Sequence, residues 1–177
     1  MTGRLRWGLM MGTLLLSAPM ARAQDVKVLM LLTTPTGSGG PIGDVTIRQS
    51  ASGALFVLNL QGLAPGPHGF HVHENGDCGP STVKDAVVPA GAAGGHWDHD
   101  HTGKHAGPAG AGHIGDLPVL VAEPDGSASQ SLAAPRIKDI AVLKGHTLMI
   151  HKNGDNYSDE PAPLGGGGPR FACGLIQ

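Results

Sequence analysis

Apolar and polar residues alternate along this chain in short runs, and glycine or proline bounds nearly every run. The stretches VTIRQ (45–49) and SASQSLA (127–133) show the pattern plainly. A strand points successive side chains to opposite faces, so a period of two predicts half-buried antiparallel strands. Strands are expected over 26–33, 43–49, 53–60, 69–74, 117–122, 127–132, 140–143, 147–152 and 171–175. No long stretch carries the 3.6-residue period of a helix. Many short strands without helices predict an all-β sandwich or barrel.

Composition alters this picture only slightly. The 29 glycines and 14 prolines among 177 residues approach the level of a disordered chain. They gather, however, between the strand runs and in two long intervals, about 74–116 and 152–170, which read as loops. Loops of that length inside a compact domain are commonly functional. No internal repeat is evident, and LGGGGP (164–169) lacks the lysine and following helix of a phosphate loop.

Residues 1–23 read differently. Arg4 and Arg6 precede an apolar run over 7–16, and the small residues Ala21 and Ala23 follow. This order is that of a secretory signal, with cleavage expected after Ala23 and a single domain over 24–177. The apolar run is shorter than the roughly 20 residues of a membrane-spanning helix, and no cysteine follows it that would suggest a lipid anchor. The chain is therefore expected to be exported to the periplasm. Removing three arginines and no acids leaves nine basic residues against fourteen acidic ones, a net charge of −5. That excess argues against a nucleic-acid partner, and an anionic ligand would need a local positive site. In an exported chain Cys78 and Cys173 read most simply as one disulfide; two buried thiols would suit a reducing compartment.

Histidine is the chemical signal. In HGFHVHENGDC (68–78), His71 and His73 stand two apart on a strand, so both project to one face and can reach one metal ion, although solvated histidines would fit the same spacing. Three more groups decide between these readings: GGHWDHDH with His96, His99 and His101; GKHAGPAGAGHIGD with His105, His113 and Asp116; and LMIHKNGD with His151 and Asp155. An all-imidazole set suits Cu(II), whereas three imidazoles and a carboxylate make a closed tetrahedral zinc shell.

HGFHVHENGDC, GKHAGPAGAGHIGDL and GGGGPRFACGLI together resemble the exported bacterial copper/zinc superoxide dismutases, and the resemblance spans nearly all of 24–177. It implies an eight-stranded Greek-key β-barrel with two long functional loops, a zinc/disulfide loop and an electrostatic loop. It implies one copper per subunit on His71, His73, His96 and His151, and one zinc per subunit on His96, His105, His113 and Asp116. His96 would bridge the two as an imidazolate and, with Arg170 beside the copper, form the catalytic pair. Asp155 would stand behind the ligands, joining His71 to His105, and His68 would be a structural hydrogen-bonding histidine. The implied reaction is disproportionation of superoxide to O₂ and H₂O₂ with copper cycling between Cu(II) and Cu(I).

His99 and His101 fall outside the family pattern. With Asp98 and Asp100 they read as a solvated face or, alternatively, as a metal-capture site; His146 is expected exposed at a strand start. A non-catalytic periplasmic copper/zinc binding or delivery protein is the rival function. It would explain the extra histidines but gives no task to His151, Asp155 and Arg170 together. Bacterial members include monomers and dimers, so a homodimer is possible.

Overall fold

The computed structural model describes residues 24–177, so the secretory segment expected at 1–23 lies outside the described residues. The alternating runs pair into strands β1 (Val26–Thr34), β2 (Gly37–Ser50), β3 (Gly53–Leu60), β4 (Gly66–His68), β5 (Phe70–His73), β6 (Ser81–Val83), β7 (Ala86–Val88), β8 (Leu120–Ala122), β9 (Ser131–Ala134), β10 (Thr147–His151) and β11 (Arg170–Leu175). The main sheet runs β5-β10-β11-β1-β2-β3-β9, and β4 pairs with β8. All of these pairings are antiparallel.

With β4 and β5 taken as one strand interrupted at Gly69, and the β6–β7 hairpin set apart, eight strands curl into the expected barrel. The chain leaves β3, crosses to the β10 side through β5, and returns through β9 to pair with β3, which is a Greek-key crossover. Between β8 and β9 the seam is bridged by a side chain: Gln130 donates to the Val121 carbonyl at 2.7 Å and accepts from its N–H at 3.3 Å.

Alternation decides which residues fill the barrel. On β1, Val28 and Met30 are buried while Leu29 between them faces out. Val45 and Ile47 from β2, Phe56, Leu58 and Leu60 from β3, Phe70 and Val72 from β5, and Leu148 and Ile150 from β10 complete one contiguous core. Phe56 and Phe70 meet edge to face with centroids 5.8 Å apart.

Three expectations change. Residues 140–143 form a 3₁₀ turn instead of a strand: Asp139 caps the Ala141 N–H, and Ile140 and Leu143, three apart, point inward together. The strand expected over 127–132 begins at Ser131, with Ala128 joined to Leu60 by an isolated bridge. The loop after β5 holds the unforeseen hairpin β6–β7, turned by Lys84 and Asp85 at φ 48° and 64°. Non-glycine residues seldom sit there, which is why no turn signal showed.

Cys78 and Cys173 form a disulfide with Cα atoms 5.8 Å apart, so the loop after β5 is tied to β11. In the chain-entropy model a closed loop of this length contributes about 4 to 5 kcal/mol.

Phe56→Ala should lower the unfolding free energy of the metal-free protein by about 3 to 5 kcal/mol, since a buried aromatic leaves a cavity in the barrel. Urea titration followed by tryptophan fluorescence measures it. A loss below about 1 kcal/mol would mean that the barrel interior collapses around the gap.

Candidate metal centre

The site grows from one strand. On β5, Phe70 and Val72 face the core while His71 and His73 face the opposite side, where the long loops bury them as well. β10 lies alongside with Met149 opposite His71 and Thr147 opposite His73, and it ends at His151. On the other flank, bridges pair His73 with His96 and His71 with Asp116. Backbone bonds between Trp97 N–H and Val72 O (2.8 Å), Val72 N–H and Gly115 O (2.9 Å), and Gly115 N–H and Trp97 O (2.9 Å) hold that flank. A methyl group at Gly115 would meet Val72 O at 2.3 Å, so only glycine permits this approach.

Two sets of donor atoms converge. His71, His73, His96 and His151 form one, and His96, His105, His113 and Asp116 the other, each with all donor atoms within 4.8 Å of one another. All seven residues are buried. His96 belongs to both sets, and its ring stacks on His71 with centroids 3.8 Å apart.

Hydrogen bonds on the far ring nitrogens determine which nitrogens face inward. His73 Nδ1–H donates to Gly94 O (3.0 Å) and His151 Nδ1–H to Gly168 O (3.0 Å). Both Nε2 atoms are therefore bare acceptors in the neutral rings, yet they stand 3.3 Å apart. His71 and His105 each donate from Nε2 to one oxygen of Asp155, both at 2.7 Å, so their Nδ1 atoms point inward. His71 Nδ1 and His96 Nε2 are buried without a hydrogen-bond partner, and His105 Nδ1 faces the Asp116 carboxylate at 3.0 Å. Orphaned buried nitrogens of this kind cost roughly 1 to 3 kcal/mol each. A cation between the lone pairs removes that cost, and the donor sets match copper and zinc chemistry.

Electrostatics follow the same division. Burial, reinforced by the neighbouring His96, pushes His71 down to about 3, and burial pushes His151 down to about 4. His73 and His96 are also lowered, chiefly by burial. His105 goes the other way: burial opposes its charge, but hydrogen bonds and charge from Asp116 and Asp155 prevail and raise it to about 9. Both carboxyls are correspondingly held well below the usual carboxylate range despite their burial, through hydrogen bonds from His105 and from His96 or His71. At Asp116 Oδ1, Nδ1 of His96 and of His105 stand at 3.0 Å and Nδ1 of His113 at 3.3 Å, the place a divalent ion would share.

The other expected residues fall as follows. Arg170 is opposite His151 in the β10–β11 ladder, and its guanidinium donates to the carbonyls of Ala90 and Gly94. Gly94 O thus serves both His73 and Arg170. His68 places its ring nitrogens on His151 O (2.7 Å) and Ala64 O (2.8 Å) and joins neither donor set. His99 and His101 are exposed and likewise join neither set; His99 lies edge-on to Trp97, centroids 6.0 Å apart. Asp98 instead closes a turn by accepting from the Thr102 and Gly103 amides. His146 is not an open strand-start residue: it is half-buried, 4.5 Å from the Trp97 ring, with Nδ1 on His73 O.

Sequence reasoning overlooked Asp159, which accepts from the His105 N–H at 2.9 Å, and Gly165, where a Cβ would strike Asp155 Oδ1 at 1.9 Å. Neither role has a local signal: Asp159 reaches His105 only once the second loop covers the first, and Gly165 meets Asp155 only once the second loop folds back on itself.

Comparison with known proteins agrees with this geometry. Residues 42–176 match the family model described as copper/zinc superoxide dismutase. The chain is 50% identical over 165 residues to a Cu-Zn superoxide dismutase of Brucella abortus, covering 93% of this chain and 95% of that one. It is 52% identical over 172 residues to one from Salmonella typhimurium, covering 97% and 99%. Among solved structures, the Brucella abortus Cu/Zn enzyme superposes with a TM-score of 0.86 at 50% identity, over 87% of this chain and all of that one.

The shifts set a pH dependence for the metal-free protein. His71 and His151 are held neutral, so the unfolded chain binds more protons from pH 6.5 down to about 4, and stability falls as pH drops through that window. His105 is raised, so its contribution is complete below pH 6.5 and is lost as pH rises through about 9. Stability should therefore peak near pH 6.5 and decline on both sides. Urea titrations of chelator-stripped protein at pH 4, 6.5 and 9 test this, and a profile rising steadily to pH 9 would contradict it.

Proposed function

The chain belongs to the copper/zinc superoxide dismutase family, and we propose that its buried histidine sets hold the two metals of superoxide disproportionation in the following roles. The protein is an oxidoreductase that converts two superoxide anions and two protons to O₂ and H₂O₂ and uses one copper and one zinc per subunit. His71 Nδ1 and the Nε2 atoms of His73, His96 and His151 would hold copper. Nδ1 of His96, His105 and His113, together with Asp116 Oδ1, would hold zinc. The observation that carries this assignment is the convergence of two buried donor sets on the shared His96, with His71 Nδ1 and His96 Nε2 aimed inward and partnerless.

Copper, when bound, supplies the one-electron exchange with superoxide, and zinc supplies charge and shape without redox chemistry. The chain's own residues do the rest. His96 presents a different nitrogen to each donor set, so holding both metals at once would require it as an imidazolate, a form that two adjacent cations make accessible. Its Nε2 would be the atom that holds and hands on one of the two protons the reaction consumes. Asp155 keeps His71 and His105 in the tautomers that aim Nδ1 inward. Arg170, held by two carbonyls, retains further N–H donors for a small anion and stays charged at every relevant pH.

The rival carrier function would need metal binding but leaves the fixed guanidinium and the shared imidazole without a task. Residues 1–23, read as a secretory signal, and the disulfide support residence in the periplasm. A solved relative from Salmonella enterica is described as monomeric, and light scattering on the purified chain would distinguish a monomer from the homodimer that the family also permits.

His151→Ala should abolish dismutation with the fold intact, while His113→Ala should lose zinc yet still bind copper. Elemental analysis, copper electron paramagnetic resonance and circular dichroism on both variants report this. Full activity in His151→Ala would remove that residue from the copper shell.

Arg170→Ala should lower kcat/KM by about tenfold, the low end of what a focused charge adds to an on-rate, an effect for which superoxide dismutases are themselves a standard illustration. Arg170→Glu should lower it further. Added salt should slow the wild type and hardly affect the alanine variant. Pulse radiolysis across ionic strength measures all three, and equal rates would leave Arg170 a structural residue only.

A further inference from the structure

We infer that Tyr157 is a positioning residue for the zinc set: it clasps together the two stretches of chain that deliver His105 and Asp116. The inference rests on the zinc assignment proposed above. The segment DNYSD (155–159) crosses over the first long loop and grips it at both ends. Asp155 Oδ1 accepts from His105 Nε2 at 2.7 Å, and Asp159 Oδ2 accepts from the His105 backbone N–H at 2.9 Å. Between these two carboxylates stands Tyr157. Its side chain packs against Gly107, two residues after His105, where an added Cβ would meet Tyr157 Cγ at 2.7 Å and its Cβ and Cδ1 at 2.8 Å. Its hydroxyl accepts a hydrogen bond of 2.9 Å from the Val119 N–H, three residues after Asp116. One side chain therefore spans the positions where the ligand-bearing stretch 105–116 begins and ends.

Two features indicate that the contact is imposed by its surroundings. Tyr157 is left-handed, at φ 61°, a conformation that bulky residues avoid, although Asn156 beside it is of a type that adopts it readily. Such strain persists only where neighbouring contacts over-determine it. The same turn directs the Tyr157 N–H onto Asp155 Oδ1 at 2.7 Å, the oxygen that also receives His105. The backbone that the Tyr157 side chain anchors thus donates to the carboxylate that orients a residue of each donor set. The ring remains 39% exposed, so its contribution lies in these directed contacts more than in filling the core.

The test uses the full metal-loaded protein. Tyr157→Phe keeps the ring on Gly107 and frees the Val119 N–H; Tyr157→Ala removes both contacts; Gly107→Ala displaces the ring from the other side. Leu132→Ala, on the distant strand β9, serves as a stability control. Zinc release to excess chelator is followed colorimetrically at a temperature where circular dichroism shows every variant folded. Tyr157→Ala and Gly107→Ala should release zinc roughly tenfold faster, within the range by which residues behind metal ligands alter affinity. Tyr157→Phe should fall between them and the wild type. The copper resonance spectrum of Tyr157→Ala should shift, because Asp155 also holds His71. Leu132→Ala should release zinc at the wild-type rate. Wild-type kinetics in the tyrosine variants, or equal acceleration in Leu132→Ala, would overturn the clasp while leaving the zinc assignment standing. A wild type that holds no zinc would overturn the assignment and the clasp together.

Discussion

The metal centre depends on one buried carboxylate. Asp155 spends both oxygens on imidazole nitrogens, His71 on one side and His105 on the other. Each bond makes the near nitrogen a donor and so leaves the far nitrogen, Nδ1, as a lone pair aimed inward. Without Asp155 these rings could adopt the other tautomer and the donor sets would not form. The carboxylate is also the meeting point of the two long loops, since His105 comes from the first and Asp155 from the second. Gly165 keeps the space around it open, because any side chain there would occupy the carboxylate's place.

A second shared acceptor ties His73 to Arg170. Gly94 O receives the His73 ring and the Arg170 guanidinium, so movement of that carbonyl would shift both. The stretch around Gly94 follows Cys78 in the same loop, and Arg170 precedes Cys173 by three residues in β11. The disulfide therefore closes a ring of chain that contains the carbonyl, the cation and one side of the copper set. A covalent link on that path limits how far Arg170 can drift from His151, its ladder partner.

Burying the seven residues of the two donor sets opposes folding, because lone pairs and carboxylates lose water. The barrel core makes this tolerable. Its strands are held by antiparallel ladders around a contiguous apolar interior, so the polar cluster sits on a wall that the core already supports. β5 shows the arrangement on four residues: Phe70 and Val72 anchor the inner face while His71 and His73 occupy the other.

Periodicity and motif determined much of this before any coordinates. The period of two in β1, β2 and β3 located those strands and their inward faces, because alternation is a property of the backbone alone. The spacing of His71 and His73 placed two ligands on one face for the same reason, and residue type indicated which donor set suits which metal. The sequence could not separate the 3₁₀ turn at Ile140–Leu143 from a strand, since four apolar residues satisfy either period. Nor could it give His146 its place against Trp97, or tell whether His99 and His101 would converge; those outcomes depend on which surfaces the first long loop covers. The partnerless nitrogens, the double use of Gly94 O, and the reach of Tyr157 from Gly107 to Val119 arise between residues far apart in sequence. Only tertiary structure decided them, because tautomer, burial and the direction of a lone pair are set by neighbours that no local pattern specifies.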